Sequence, residues 1–215
     1  MNQWIKRGLI SVSLVAAIGL STLGAAALHG ESKMKRTLHL PDYAIPLRDD
    51  AASIEHGKYL FQTKGCADCH ADSGAGRAFI NDPETGMRVV APNISPGSGS
   101  VVSHYNAADW ERTIRHGVKP TGEPIMIMPS EEYARFSDQD LIDLVAYTRH
   151  LPPAAGGSAV LDLPVMVRAL YGLGVVQDAA EKIDHTLAPH PPMQAERSKE
   201  YGAYLGESCK GCHGP

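Results

Sequence analysis

The sequence predicts an all-α fold, and three observations carry that expectation. An uncharged apolar run from Gly8 to Leu28 is long enough to form one membrane-crossing helix. Helix-start signals stand at Asn106 and at Ser137 with Asp140. The longest stretch between predicted helices, residues 71–103, is rich in Gly, Pro, Asn and Ser and reads as loop rather than sheet. The 215 residues suffice for one large domain or two small ones. Net charge is −4 with acids and bases interspersed, and no long basic run points to a nucleic-acid partner.

Taken in order, residues 1–29 form an export signal or a transmembrane anchor, with Lys6 and Arg7 ahead of the apolar run. Ala25-Ala26-Ala27 offers the small residues of a cleavage site, whereas the length of the run favours retention. Lys33, Lys35 and Arg36 rival the basic residues upstream, so charge alone does not orient it. Residues 30–52, with Pro41 and Pro46, read as a tether. From Ser53, the pattern Ile54, Gly57, Tyr59, Leu60, Phe61 predicts a short helix running to Cys66, with Gly65 permitting a turn. Asn106 caps a helix over Ala107 to His116, stopped by Gly117. Ser137 and Asp140 make a capping box for a helix through Leu151, with Leu141, Leu144, Val145 and Thr148 at helical spacing and Pro152-Pro153 beyond. Residues 154–192 read as an interdomain connection with one helix from Pro164 to Tyr171. The stretch Glu196 to Leu205, leading into Cys209, then echoes Glu55 to Leu60 before Cys66, so that residues 193–215 begin the same kind of domain a second time.

The four cysteines carry the chemistry. Cys66-Ala-Asp-Cys69-His70 and Cys209-Lys-Gly-Cys212-His213 leave no cysteine over, and each pair is followed directly by histidine. Neither a disulfide framework nor a thioredoxin-like site requires that histidine, and the distance between the pairs exceeds ordinary zinc-ribbon spacing. CxxCH is the signature of covalent haem c attachment. Two thiols add to the vinyl groups of one porphyrin edge, and the histidine lies under the iron, which makes His70 and His213 the expected proximal ligands. Low aromatic content (6%) suits a core completed by a large flat cofactor. In bacteria this attachment is completed outside the cytoplasm, which places the haem domains at the periplasmic face of the cytoplasmic membrane.

The order of helix, CxxCH, long loop, helix, Met-containing segment and final helix resembles a class I cytochrome c domain over residues 53–153. The run from Met128-Pro129 through Tyr133, Phe136 and Asp140-Leu141 to Tyr147, Arg149 and Leu151-Pro152-Pro153 closely resembles the multihaem cytochrome subunits of membrane-bound bacterial alcohol and gluconate dehydrogenases. Further matches are Pro92-Asn93-Ile94, Asp109-Trp110 and Ile114 to Val118. The resemblance implies that Met128, rather than Met126, Met87, His104 or His116, is the second iron ligand. Pro92 is a candidate to orient His70 through its carbonyl, and Trp110 and Arg115 are candidates for contact with the haem edge or propionates. The function expected is transfer of single electrons from a periplasmic dehydrogenase or quinol-oxidising complex to a terminal oxidase or another cytochrome. The alternative is a haem enzyme with an open iron site acting on peroxide or a sulfur compound. Because the first domain runs on from His70 to Pro153, the domain begun at residue 193 is expected to continue beyond Pro215.

Overall fold

The computed structural model describes residues 2–207 and Gly214. Its elements, in chain order, are α1 (Gln3–Met34), α2 (Ala51–Thr63), α3 (Cys66–His70), β1 (Ala78–Asp82), β2 (Met87–Val90), α4 (Ala107–His116), α5 (Ser130–Tyr133), α6 (Asp138–Arg149), β3 (Val160–Asp162), α7 (Val165–Gly172), α8 (Ala179–Lys182) and α9 (Lys199–Gly206). They divide into two compact units, one made of residues 1–36 with 163–177 and the other of residues 37–162 with 178–215.

In the larger unit, α2 begins one turn earlier than its hydrophobic pattern, because the Asp50 side chain accepts from Ser53 N at 3.0 Å and caps it. It lies along α6 with almost no separation. A Cβ on Gly57 would sit 1.8 Å from Asp143 O, so only glycine permits this approach. Phe61 meets Tyr147 edge to face at a centroid distance of 5.4 Å. These residues join Leu60, Trp110, Ile114, Tyr133, Phe136, Leu141, Leu144 and Leu151 in one buried cluster.

The helix expected at residues 107–116 is present with those limits. Asn106 and Asp109 close a full capping box, and Gly117 ends the helix at φ 63°. At α6 the box is half formed: Ser137 Oγ accepts from Asp140 N at 3.1 Å, while the Asp140 carboxylate instead accepts from the Tyr204 hydroxyl. Tyr204 belongs to α9, and its hydroxyl also accepts from Ser137 N at 3.1 Å, so α9 is bound to the start of α6.

The all-α expectation needs one correction. Residues 71–103 contain the hairpin β1–β2, and β3 adds to it, giving an antiparallel sheet of order β1-β2-β3. The turn is made by Asp82, whose carboxylate accepts from Glu84 N at 2.9 Å and from Thr85 Oγ1 at 2.6 Å, with Gly86 at φ 74°. Gly, Asn and Pro in this segment therefore punctuate strands as well as loops.

The smaller unit pairs α1 with α7. Helix α1 continues through Met34, so residues 30–34 are helical where a tether was expected. An 18-residue window within it has mean hydropathy 2.0, and the helix is long and apolar enough to cross a membrane. Ala26, Ala27 and Ala169 form a small core with Leu23 beside it.

Candidate haem site

Helix α3 is a single turn entered through Gly65, whose φ of 80° is ready access for glycine alone. The entry is held from two sides: Lys64 N donates to Leu60 O at 2.9 Å, and the buried Tyr133 hydroxyl donates to Lys64 O at 2.8 Å. Cys66 and Cys69 thus leave the end of α2 on one turn, both as free, partly buried thiols, and Cys66 and Ala67 pack against the main core. Burial pushes the Cys66 thiol up to about 12. Burial also raises Cys69, and the Asp68 carboxylate adds to this against the opposing charge of Arg77. Both therefore rest as neutral thiols at physiological pH, unlike the lowered-pKa cysteines of redox motifs.

His70 closes the turn with Nδ1 3.0 Å from Pro92 O. A carbonyl only accepts, so Nδ1 carries the proton and Nε2 keeps its lone pair. Burial lowers the imidazole's affinity for a second proton, opposed by the Pro92 hydrogen bond. The result is a neutral, oriented imidazole with a free donor atom, the state a metal ligand requires. Pro92 is the carbonyl singled out in the sequence.

Asn93 is what holds Pro92 in place, and sequence reasoning assigned it no such task. It is fully buried. Its amide nitrogen donates to Ser98 O at 3.0 Å and Ala154 O at 2.9 Å, and its carbonyl oxygen accepts from Ser95 N at 2.9 Å and Ser95 Oγ at 2.8 Å. Two further bonds tie this loop to the motif, from Gly76 N to His70 O at 2.9 Å and from Ile94 N to Gly74 O at 2.7 Å.

Of the other candidate ligands, Met128 is partly buried and, among the described residues, is the methionine packed against the core cluster that receives Cys66 and Ala67. Met126 is not part of that packing. Met87 lies on β2, His104 is exposed, and His116 Nδ1 is engaged by His185 Nδ1 at 2.8 Å. Arg115, a candidate for contact with the haem edge or propionates, is buried among Glu111 Oε1, Phe136 O and Asp138 Oδ1 at 3.4, 2.9 and 2.7 Å, and ties α4 to the start of α6. Trp110 is in the core, and with Ile94, Val102, Ser103, Tyr105, Thr148 and Arg149 it lines a crevice of mixed polarity, where Arg149 pairs with Asp49 at 2.9 Å. Two thiols on one turn, an oriented neutral imidazole and a thioether on the same core are a donor set that would hold a covalently attached haem. Cys209, Cys212 and His213 lie outside the described residues.

The fold and this donor set define a class, the electron-carrying proteins that bind haem through a CxxCH turn. A cytochrome c family profile matches residues 54–152, and a diheme cytochrome c-type protein of Cereibacter sphaeroides is 30% identical over 220 residues, covering 94% of this chain and 69% of that protein. The chain belongs to the cytochrome c family, whose members carry haem c covalently. It is also 28% identical to the gluconate 2-dehydrogenase cytochrome c subunit of Pantoea cypripedii over 184 residues, 79% of this chain and 40% of that one. With the cytochrome c subunit of the quinone alcohol dehydrogenase of Gluconobacter oxydans it shares 24% identity across 94% of this chain and 40% of the relative. The chain thus spans about two fifths of the length of these dehydrogenase subunits.

Proposed function

We propose that the chain is a membrane-tethered dihaem cytochrome that relays single electrons from a dehydrogenase or quinol-oxidising complex to a terminal acceptor. In this reading Cys66 and Cys69 carry the first haem by thioether bonds, with His70 Nε2 and the Met128 sulfur as iron ligands. Cys209, Cys212 and His213 carry the second. Residues 53–153 are the first cytochrome domain, 154–192 the connection and 193–215 the start of the second domain. When bound, haem iron supplies a one-electron couple between its ferrous and ferric states. Everything else is done by the chain: Pro92 orients the ligating imidazole, and the core around Cys66 and Met128 keeps water away. A thioether opposite histidine sets a higher potential than a second histidine.

The observation that carries the reading is the His70 Nδ1 bond to Pro92 O, which leaves Nε2 as the donor atom beside two neutral thiols. The cytochrome subunits of gluconate and alcohol dehydrogenases among its relatives support a dehydrogenase as electron donor. The apolar helix α1 supports membrane tethering, and attachment of haem c outside the cytoplasm is what would put the haem domains in the periplasm. Retention is favoured because the uncharged run from Gly8 to Leu28 is long enough to cross a bilayer.

Ligation is tested by two substitutions in the haem-loaded protein. Met128→Ala should abolish the weak far-red absorption that reports an iron–thioether bond, and Met126→Ala should leave it intact. The reverse pattern would assign the ligand to Met126. Intact absorption in both variants would remove methionine 126 and 128 alike from the site.

A further inference from the structure

We propose that α7 and the turn after it, residues 165–176, form a second membrane contact that dips into the phospholipid layer beside α1. The inference rests on the membrane-tethered reading above. Its starting point is depth. If Gly8 to Leu28 spans the hydrocarbon, whatever packs on Ala26 lies at the boundary of that hydrocarbon.

Helix α7 packs there, antiparallel to α1. A Cβ on Gly30 would fall 2.1 Å from Arg168 O, and one on Gly172 would fall 2.1 Å from Ala26 O. Arg168 therefore lies opposite Gly30, beyond the apolar run, and Gly172 lies opposite Ala26, inside it. The chain enters at the headgroup level and moves inward as it proceeds to Leu173, Gly174, Val175 and Val176.

The chemistry of the segment follows the same gradient. At its outer end Arg168 pairs with Glu31, and from beyond the apolar run the side chains of Lys33 and Arg36 reach in to Tyr171, donating to its O at 3.1 Å and to its hydroxyl at 2.6 Å. These cations suit a phospholipid headgroup layer. At its inner end Leu173 and Val175 are 62% and 70% exposed, and Val176 is exposed as well. Apolar surface of this kind at that depth belongs in lipid.

The turn is also built so that no amide is left bare. Leu173 N donates to Ala169 O at 2.9 Å, Gly174 N to Tyr171 O at 3.1 Å, and Val175 N and Val176 N to Leu170 O at 2.9 and 3.3 Å. With Gly174 at φ 76° this is a Schellman ending. Backbone entering an apolar phase must satisfy its donors internally, and this turn does.

The test uses the full haem-loaded chain in phosphatidylethanolamine–phosphatidylglycerol vesicles, with a nitroxide on Val175→Cys, on Ala17→Cys in α1 or on Glu84→Cys in the β1–β2 turn. Relaxation by dissolved oxygen is compared with relaxation by a water-soluble nickel chelate. The expected result is that labels at 175 and 17 favour oxygen several-fold over nickel, and the label at 84 shows the opposite. A label at 175 as nickel-accessible as that at 84, with 17 still lipid-exposed, overturns the proposal and leaves the tether standing. A label at 175 shielded from both reagents means a protein surface covers the turn, and this too overturns it. Nickel access at both 17 and 175 defeats the tethering reading and the proposal together.

Discussion

Asn93 shows how much of a haem site is set by residues that never approach the ligand. Its four hydrogen bonds fix the loop that aims Pro92 O at His70. Asn93→Ala leaves a buried amide and carbonyls short of partners, which costs about 2 kcal/mol. Denaturant unfolding of the haem-loaded protein should show that loss as a lower midpoint with an unchanged slope, and an unchanged midpoint would refute the assigned role. At this scale the sequence is legible where chemistry forces spacing: the CxxCH turn and the Pro92 carbonyl were both in view. Asn93 appeared only as part of a matching tripeptide, because a side chain bonded to Ser98 O and Ala154 O announces itself only once residues 93 and 154 are neighbours. The partners of Arg115 were hidden for a related reason. Phe136 O and the Asp138 carboxylate lie 21 and 23 residues further along the chain, so the pairing is visible only in the fold.

Among elements, the repeated motif before each CxxCH makes a paired test possible. Gly57 of α2 and Gly202 of α9 occupy matching places in that echo, yet a Cβ at Gly57 strikes Asp143 O at 1.8 Å, while one at Gly202 meets nothing within 4 Å among the described residues. Gly57→Ala must push α2 off α6, at a cost of ~1–3 kcal/mol or more as overpacking. Gly202→Ala should instead gain up to about 1 kcal/mol of helix propensity. Thermal melts of the two variants should move in opposite directions, and equal shifts would show that the two glycines do the same work. The echo was readable from residues alone, but which glycine is packed was not, since that depends on what lies across from it. The β1–β2 hairpin escaped notice for a different reason. Its strands are 5 and 4 residues long, too short to establish an alternating pattern against the Gly and Pro around them.

In the whole molecule a helix of membrane-crossing length precedes a cytochrome c domain. If α1 is retained, mass analysis of the protein taken from membranes should find an N-terminus ahead of Gly8. A terminus near residue 28 would instead describe a cleaved leader and a protein free of this anchor. Helix α1 was legible because it is continuous in hydropathy, and the CxxCH motif because it is local. The pairing of α1 with α7 was not, since residues 154–192 look like a connection until Gly30 and Gly172 bring two backbones together. The central claim is covalent haem at the first motif, and trypsin isolates it, because cleavage after Lys64 and Arg77 releases Gly65–Arg77. Mass spectrometry of that peptide, from protein made where haem attachment machinery is active, should find it heavier by one haem with no free thiol. The unmodified mass, or a Cys66–Cys69 disulfide in its place, would contradict the account.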